Sequence, residues 1–281
     1  MGVVGLGLMG TALTERLLAH GYPVQVWNRT REKSVPLTER GATWSDNPLL
    51  TCDRVVISLY SSDVVQEVLQ QLAAGDRPGR ILIDTTTGEP EQSAATAERL
   101  AARGTRYLDA PISGSSEQTR QGEATVMVGG DRAAFDACAD LWPVLGRKVF
   151  HVGGPGSAAR MKLVSNLVLG LNRAALAEGL AYAEAIGIAP SAALEVLQGS
   201  MAYSRVMDVK GRKMLEGDFR VQARLSQHLK DVRLILESAA AAGLPLPLSE
   251  VHRSLLERAE AAGLGELDNS AIAQVWQRRT P

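Results

Sequence analysis

Residues 2–30 read GVVGLGLMGTALTERLLAHGYPVQVWNRT, and this stretch decides the fold. Its opening valines are strand-like, and a GxGxxG pattern follows at Gly5–Gly10. Thr11–His20 has the composition of a helix, and Tyr22–Trp27 that of a second strand. A strand, a glycine loop, a helix and a second strand in this order predict a βαβ unit whose loop binds a dinucleotide.

The three glycines of this loop have separate physical tasks. Gly5 permits the tight turn, Gly7 lets a pyrophosphate approach the backbone, and Gly10 lets the helix pack closely on the strand. The N-terminus of the following helix offers free N–H groups and a partial positive charge to phosphates. A glycine-rich turn without a ligand is the alternative, which the surrounding pattern disfavours. We therefore predict that the whole loop binds a nicotinamide dinucleotide, through Gly5, Leu6, Gly7, Leu8, Met9 and Gly10.

The end of the second strand indicates which dinucleotide binds. NAD sites usually have Asp or Glu here, which accepts hydrogen bonds from the ribose hydroxyls, whereas this chain has Asn28, Arg29 and Thr30. Arg29 can form a bidentate, charge-assisted contact with a 2′-phosphate, and Asn28 and Thr30 can add donors. A solvated basic turn is the alternative. This chemistry predicts NADP(H) rather than NAD.

Strand-like and helix-like stretches alternate up to residue 150, which predicts further βαβ units and a parallel sheet. The strands are predicted at Gly2–Gly5, Val24–Trp27, Val55–Leu59, Arg80–Asp84, Arg106–Leu108, Ala124–Gly129 and Val149–Val152, and the helices at Ala12–His20, Val64–Ala73 and Gln92–Arg103.

The composition changes after Gly156. Ser157–Ile186 lacks proline and repeats leucine at helical spacing, which predicts one long helix. Helical patterns recur at Pro190–Gly199, Tyr203–Leu215, Arg224–Ala242, Pro247–Ala262 and Asn269–Arg278. We predict an α/β fold in which a Rossmann-type dinucleotide-binding domain, residues 1–156, is followed by an all-α domain, residues 157–281. The glycine-rich hinge Gly153–Gly156 marks the boundary, and the long helix joins the two domains.

The bulk composition disfavours several classes of protein. The 281 residues carry a formal net charge of −1, which gives no global attraction to nucleic acid or to an anionic membrane. No apolar run approaches the roughly 18 residues that span a bilayer. Cys52 and Cys138 stand in no CxxC pattern or Cys/His cluster, which predicts reduced thiols and no metal site. Because no signal peptide precedes the glycine loop, we expect a cytoplasmic protein.

Three further patterns are candidates for catalysis and substrate binding. The loop Asp109–Ser115 follows a strand, and its hydroxyl and N–H groups could hold a carboxylate. Lys162 and Asn166 stand four residues apart on one face of the long helix. A solvated lysine is the ordinary interpretation, but apolar neighbours favour burial, which lowers the pKa of a lysine and eases proton donation. Lys230 and Asp231 lie together in a later helix.

These motifs resemble, in order and spacing, those of the β-hydroxyacid dehydrogenase family. That family includes 3-hydroxyisobutyrate dehydrogenases, tartronate semialdehyde reductases and glyoxylate/succinic semialdehyde reductases. Asp109–Gly114 resembles its D-x-P-V-S-G-G substrate loop, Lys162 with Asn166 its K-x-x-x-N helix, and Lys230-Asp231 its K-D-L motif. Asn28–Thr30 resembles its NADPH-using glyoxylate/succinic semialdehyde reductase branch. The resemblance implies an enzyme that reduces a small aldehyde acid, or oxidises the matching hydroxy acid, by hydride transfer.

The resemblance also implies a role for individual residues. Lys162 would protonate the carbonyl oxygen during reduction, and Asn166 would position it or bind the substrate hydroxyl. The Ser113 side chain and the Gly114 backbone would hold the substrate carboxylate. No metal is needed, because the lysine supplies the electrophile. The remaining cofactor contacts would come from Leu59, Tyr60, Thr87 and Lys230, the last closing over the dinucleotide.

Four positions depart from the family pattern. Ser115 stands at the second glycine of the S-G-G turn, where we expect it to narrow the substrate pocket or add a hydrogen bond. Tyr60 replaces the usual proline, Ala158 replaces a common glycine, and Val232 follows Lys230-Asp231 in place of leucine. The substrate is therefore the part of the interpretation that depends most on these departures.

Two other functions stay open. An imine reductase would share the glycine loop and the Asn-Arg-Thr turn, but that group generally has Asp or Tyr at the position of Lys162. A catalytically silent dinucleotide-binding or chromatin-reader module is disfavoured by the presence of Lys162, Asn166 and Ser113.

Two further features have ordinary interpretations beside functional ones. His228 is interpreted as a surface or core histidine, with substrate contact as the alternative. The stretch Leu171–Ala185 has small and apolar residues that could pack against a second subunit, which predicts a homodimer or higher homo-oligomer. Packing within the chain is the alternative.

Overall fold

The computed structural model describes residues 1–72 and 78–276. These divide into two compact units, Met1–Lys162 and the residues from Leu163 onward. The first unit is built on a sheet and the second on helices, which confirms the predicted fold class. The division falls within the predicted long helix, which runs from Ser157 to Ala185. The boundary at Gly153–Gly156 stays a prediction.

In the described part of the first unit, the sheet has nine strands. They are β1 (Gly2–Val4), β2 (Gln25–Trp27), β3 (Thr43–Trp44), β4 (Arg54–Ile57), β5 (Ile81–Asp84), β6 (Arg106–Asp109), β7 (Ile112–Ser113), β8 (Thr125–Gly130) and β9 (Lys148–Gly153). Every strand that the sequence predicts is present. The pattern does not predict β3 and β7, because two residues are too few to show an alternation.

The order β3-β2-β1-β4-β5-β6 is parallel throughout. Strand β8 then runs antiparallel to both β6 and β7, and β9 pairs parallel with β8. The chain leaves β1 on one side towards β2 and β3 and returns on the other side at β4. The carboxyl ends of β1 and β4 therefore flank the switch point, where doubly wound sheets bind their ligands.

The helices of the first unit cover both faces of the sheet. They are α1 (Leu8–Ala19), α2 (Val35–Thr38), α3 (Pro48–Thr51), α4 (Ser62–Gln71), α5 (Pro90–Ala101), α6 (Ser116–Arg120), α7 (Arg132–Asp136) and α8 (Trp142–Leu145), with a 3₁₀ turn at Arg31–Ser34. Five of these helices have only four or five residues and were not predicted, because a single turn shows no helical period. Ala73, the predicted end of α4, lies outside the described residues.

Strand alternation separates two apolar cores. Val3 and Val56 belong to the core that includes Leu13 of α1, whereas Val4 and Val55 belong to the core on the opposite face. Successive strand residues point to opposite faces of a sheet, so two adjacent residues of a strand pack into the two different cores. Fully burying one such side chain contributes about 1.5–3 kcal/mol, and this burial fixes the strand ends from which the site residues extend.

The second unit is helical. After α9 (Ser157–Ala185) come α10 (Pro190–Gln198), α11 (Arg212–Glu216), α12 (Leu225–Ala241) and α13 (Pro247–Ala259). The helix predicted at Tyr203–Leu215 is present from Arg205, and it contains a π turn at Met207–Gly211 that leads directly into α11. A second π turn lies at Glu260–Leu264. The last predicted helix is a 3₁₀ segment, Asn269–Val275, and its final two residues lie outside the described range.

Among the described residues, none of the helices has the length and apolar character that crossing a bilayer demands.

Candidate active site

The glycine loop connects β1 to α1 in the conformation that the pattern predicts. Gly5 has a φ of +96°, and a Cβ there would overlap the Ser58 carbonyl oxygen. A Cβ on Gly10 would overlap the Gly5 carbonyl oxygen, so both positions exclude a side chain. Gly7 is exposed, and a Cβ there would meet nothing within 4 Å. The loop is therefore packed at its two ends and open at its middle glycine.

The start of α1 has the features of an anion site. Gly7 is its N-cap residue, makes no side-chain hydrogen bond to the first turn, and no acidic residue stands in that turn. The N–H groups at this end therefore have no side-chain cap, and the helix dipole favours a negative group there. A pyrophosphate fits this cradle chemically, because the open Gly7 leaves the space that it would take.

Asn28 ties the glycine loop to the turn after β2. Its Oδ1 accepts the Leu6 N–H at 2.9 Å, and its Nδ2 donates to the Thr30 carbonyl oxygen at 2.9 Å. These bonds fix the shape of both segments. Asn28 is thus a positioning residue of the loop, and its direct contact with a cofactor stays a prediction.

The segment after Asn28 is basic and open to solvent. Arg29 and Thr30 are both exposed. The Arg31 guanidinium lies 5.0 Å from the centre of the Trp44 ring, a cation–π arrangement that holds this arginine at the edge of the sheet. Trp44 in turn donates from Nε1 to Asp46 at 2.8 Å. Arg29 is therefore two residues from Arg31, a second cation whose position is fixed by Trp44.

The loops after β4 and β5 support each other at the switch point. The Leu59 N–H donates to Thr86 Oγ1 at 3.1 Å, and Thr85 Oγ1 donates to the Ile57 carbonyl oxygen at 2.8 Å. Leu59 and Thr87 are half-buried, and Tyr60 is 55% exposed. These two loops carry Leu59, Tyr60 and Thr87, the three residues of this unit that are predicted to add cofactor contacts outside the glycine loop and the turn after β2.

A buried aspartate organises the second of these loops. Asp84 Oδ1 accepts the Thr86 N–H at 2.9 Å, and Asp84 Oδ2 accepts the Tyr107 hydroxyl at 2.6 Å. Burial raises the pKa of Asp84 to about 6 despite these hydrogen bonds. This pair was not predicted, although an aspartate at the end of a buried strand is a usable sequence signal.

Lys162 is buried and lies against the predicted substrate loop. It is 7% exposed, and its Nζ donates to the Ile112 carbonyl oxygen at 2.7 Å. The next two residues, Ser113 and Gly114, are half-buried and form the turn that the sequence singled out. The first unit therefore brings an ammonium group next to the turn that is predicted to bind a carboxylate.

Asp109 anchors the helix that carries this lysine. Its carboxylate accepts the N–H groups of Gly156 and Ala159, each at 2.9 Å, and so caps the N-terminus of α9. Burial raises the pKa of Asp109, while these backbone bonds act in the opposite direction. The aspartate of the substrate loop is thus a structural residue, because its oxygens are taken by the helix.

Ser115 has a structural role that the sequence did not predict. Its Oγ accepts the Gln118 N–H at 3.2 Å, and its own N–H donates to Gln118 Oε1 at 2.9 Å, which is a capping box at the start of α6. The expectation that Ser115 narrows the pocket or adds a substrate hydrogen bond is therefore not needed to explain this departure. A serine here stabilises a helix start, as N-cap serines commonly do.

Asn166 and the Lys230-Asp231 pair come together within the second unit. Asn166 is 5% exposed and donates from Nδ2 to Asp231 Oδ2 at 2.9 Å. Asp231 Oδ1 lies 3.2 Å from Lys230 Nζ. Asp231 of the late K-D motif therefore fixes the side-chain amide of Asn166 on α9. The sequence alone did not connect these two motifs.

Among the described residues, no group of three His, Cys, Asp or Glu side chains is placed to hold a metal. His228 is buried, which places it in the interior of the second unit rather than at the surface.

Family models match both parts of the chain. A model described as the NAD binding domain of 6-phosphogluconate dehydrogenase matches residues 1–153. A model described as NAD-binding of NADP-dependent 3-hydroxyisobutyrate dehydrogenase matches residues 156–276.

Several curated proteins are similar over nearly the whole chain. It is 30% identical to 2-(hydroxymethyl)glutarate dehydrogenase of Eubacterium barkeri, over 100% of this chain and 95% of that protein. It is also 30% identical to glyoxylate/succinic semialdehyde reductase 1 of Arabidopsis thaliana, over 98% of this chain and 97% of that protein. Cytokine-like nuclear factor N-PAC of Homo sapiens is 30% identical over 98% of this chain but only 51% of its own length. The chain thus spans about half the length of the first curated relatives that it matches.

Solved structures share the fold. A 3-hydroxyisobutyrate dehydrogenase from Salmonella typhimurium superimposes with a TM-score of 0.88 at 26% identity, covering 98% of both chains. Psf3 in complex with NADP+ and 2-OPP does so with a TM-score of 0.88 at 28% identity, covering 98% of this chain and 99% of that one. From the family models, the relatives and the shared fold together, the chain belongs to the β-hydroxyacid dehydrogenase family.

Proposed function

We propose that this protein is an NADP(H)-dependent oxidoreductase that reduces a small aldehyde acid, or oxidises the matching hydroxy acid, with Lys162 as general acid and base. The observation that carries the proposal is the position of Lys162, buried and 2.7 Å from the Ile112 carbonyl oxygen beside Ser113 and Gly114. A cation that lies next to a carboxylate-binding turn can hold a substrate by one end and protonate it at the other.

The bound dinucleotide would supply the hydride, and the chain would supply the proton. Lys162 Nζ–H would donate to the carbonyl oxygen as negative charge develops there, and would accept the hydroxyl proton in the reverse direction. The Ser113 hydroxyl and the Gly114 N–H would hold the carboxylate. Asn166, held by Asp231 at 2.9 Å, would present its amide in one orientation to the lysine or to the substrate hydroxyl. Lys230 would contact the cofactor.

The substrate proposal is supported by the relatives. The Arabidopsis thaliana protein is named for glyoxylate and succinic semialdehyde, and the Eubacterium barkeri protein for a hydroxymethyl diacid. These compounds share a carboxylate next to, or a few carbons from, an aldehyde or hydroxymethyl group. We therefore propose that class as the substrate.

A panel assay tests the activity. NADPH oxidation is followed with glyoxylate, succinic semialdehyde and a cyclic imine, each with the native protein and with the Lys162→Ala variant. We expect turnover of an aldehyde acid and its loss in the variant. Preferred turnover of the imine would favour an imine reductase. Binding of NADPH without turnover of any compound would favour a silent dinucleotide-binding module. That module stays the second candidate because relatives such as N-PAC are named as nuclear factors and not as enzymes.

The choice of NADP(H) is also a proposal. It is supported by the exposed Arg29 and Thr30 at the end of β2, by the Arg31 guanidinium held on Trp44, and by NADP+ in the Psf3 structure. The chain would bind the 2′-phosphate through the Arg29 fork. Comparing hydride transfer from NADPH and NADH tests it: equal efficiency would contradict the proposal, and Arg29→Asp should reverse the preference.

We further propose a homodimer or higher homo-oligomer in the cytoplasm. Val164 and Val168, 55% and 52% exposed, stand four residues apart on α9, and Tyr182 is 65% exposed. Apolar side chains on one helix face are typical of a subunit contact. Two buried free thiols, Cys52 and Cys138, suit a reducing compartment. Light scattering that finds a monomer at working concentration would remove the assembly proposal.

A further inference from the structure

Helix α9 carries a buried arginine, and two of its three guanidinium nitrogens have no hydrogen-bond acceptor in the described part of the chain. Arg173 is 3% exposed, and its Nε and Nη1 have no partner among the described residues. Burial lowers the pKa of Arg173 to about 10, against the attraction of Asp268, so the guanidinium stays charged at neutral pH. Buried ionised groups normally have partners because the unpaired state is strongly unfavourable. This arginine therefore points to a ligand.

Two histidines from other helices converge near this arginine. His252 of α13 is 2% exposed, and its Nε2 has no hydrogen-bond partner among the described residues. Its ring centre lies 5.2 Å from that of His228 of α12. A Cβ on Gly170 would lie 2.6 Å from His228 Nε2 and from His252 Cε1, so both rings press on α9 at this glycine. Gly170 and Arg173 stand three residues apart and share a helix face.

The charges around the cluster leave one cation without a counterion. Asp268 is paired with Lys210 at 2.8 Å, and Asp231 with Lys230 at 3.2 Å. Burial, and then the charge of Arg173, lower the pKa of His252 to about 4, so this ring is neutral at pH 7. Among the described residues of this cluster, the charge of Arg173 is therefore the one that no carboxylate pairs with directly. A carboxylate matches that charge, whereas a phosphate dianion would leave an excess negative charge in a buried place.

We propose that Arg173 and His252, together with His228, form a binding site for a carboxylate group of a small molecule within the helical unit. The planar guanidinium can hold both oxygens, and the imidazole of His252 can donate one N–H to them. Arg173 Nε and Nη1 and His252 Nε2 are themselves buried, so a bound carboxylate would be enclosed within the helical unit. The site stands independently of the proposed reaction, because none of its three residues takes part in that mechanism.

Histidine-resolved NMR of the whole protein tests the site. The chain has four histidines, so His20 and His151 serve as internal references for His228 and His252. Acetate and succinate are titrated at constant ionic strength against chloride, with inorganic phosphate as the second source of oxyanion. We expect saturable shifts at His252 and His228 with the carboxylates, and a rise in the pKa of His252 when the ligand neutralises Arg173. Absence of a saturable shift at His252 overturns the site, and stronger binding of phosphate overturns the assignment to a carboxylate.

Two variants of the arginine complete the test. Arg173→Met should abolish the carboxylate response and raise the Tm in chloride buffer by about 2–4 °C, because an apolar side chain replaces an uncompensated charge. Arg173→Lys keeps the charge without the fork and should weaken binding about tenfold. Arg258→Met, at an exposed arginine of α13, is the matched control and should change neither property. A lower Tm for Arg173→Met, or a retained carboxylate response, contradicts the proposal.

Discussion

Asn28→Ala should weaken both NADPH and NADH binding by the same factor. The side chain makes two hydrogen bonds of 2.9 Å, one to the glycine loop at Leu6 and one to the Thr30 carbonyl oxygen. Each such bond contributes about 0.5–1.5 kcal/mol net. The two bonds together therefore stabilise the binding conformation of the loop by roughly 1–3 kcal/mol, and the variant loses this free energy. At about 1.4 kcal/mol per tenfold change, the dissociation constants should rise roughly 5- to 150-fold.

Arg29→Ala is the matched comparison, because it adjoins Asn28 but is exposed. It should weaken NADPH by about 1.5–3 kcal/mol, the usual range for a hydrogen bond to a charged group, and leave NADH nearly unchanged. The dissociation constants of both cofactors are measured by calorimetry for the native protein and the two variants. If Asn28→Ala changed the NADPH/NADH ratio as much as Arg29→Ala does, the assignment of Asn28 as a positioning residue would be wrong.

Three further predictions concern the first unit. Lys162→Met should lower kcat about 10²- to 10⁴-fold, with the Kd of NADPH unchanged in fluorescence titration; a lower affinity with normal kcat would contradict the proton-donor role. Ser115→Ala should cost about 1 kcal/mol of unfolding free energy by urea denaturation, and Ser115→Gly only a few tenths, with the KM of an aldehyde acid unchanged in both; a large KM change at normal stability would restore a substrate role. Burial raises the pKa of Asp84 from its usual 3.8 to about 6, so protonation of this carboxyl favours the folded state. This contribution to stability is present below about pH 4 and is lost as the pH rises through 6. Asp84→Asn should therefore be more stable than the native protein at pH 7.5, by up to about 3 kcal/mol, and equal to it near pH 4; a constant difference across this range would refute the assignment.

The dinucleotide loop could be predicted from sequence because its constraints are local. Gly5 needs a positive φ, Gly10 lies against the Gly5 carbonyl oxygen, and Gly7 faces open space. Each requirement involves a few neighbouring residues, so a six-residue pattern carries it. The long helix was equally readable, because a run of nearly thirty residues repeats its period many times.

The partners of the site residues could not be predicted in the same way. Asn166 with Asp231, and Asp84 with Tyr107, join residues 65 and 23 positions apart. Neither pairing can be recognised from the neighbouring sequence, because the tertiary fold decides which distant segments come close enough to form a hydrogen bond. Ser115 is a different case: the capping signal with Gln118 was present in the local sequence but was not used, and the substrate role of this serine stays a prediction.

The position of Lys162 depends on one short segment of the sheet. Asp109, at the end of β6, holds the first turn of α9 by two backbone N–H groups. Three residues later, the Ile112 carbonyl oxygen accepts the ammonium group that the same helix carries. The segment 109–112 thus fixes both the start of α9 and the ammonium group of Lys162. It then continues directly into the Ser113–Gly114 turn. Because the proposed proton donor and the proposed carboxylate-binding turn are positioned by the same four residues, a shift of this segment moves both together and preserves their separation.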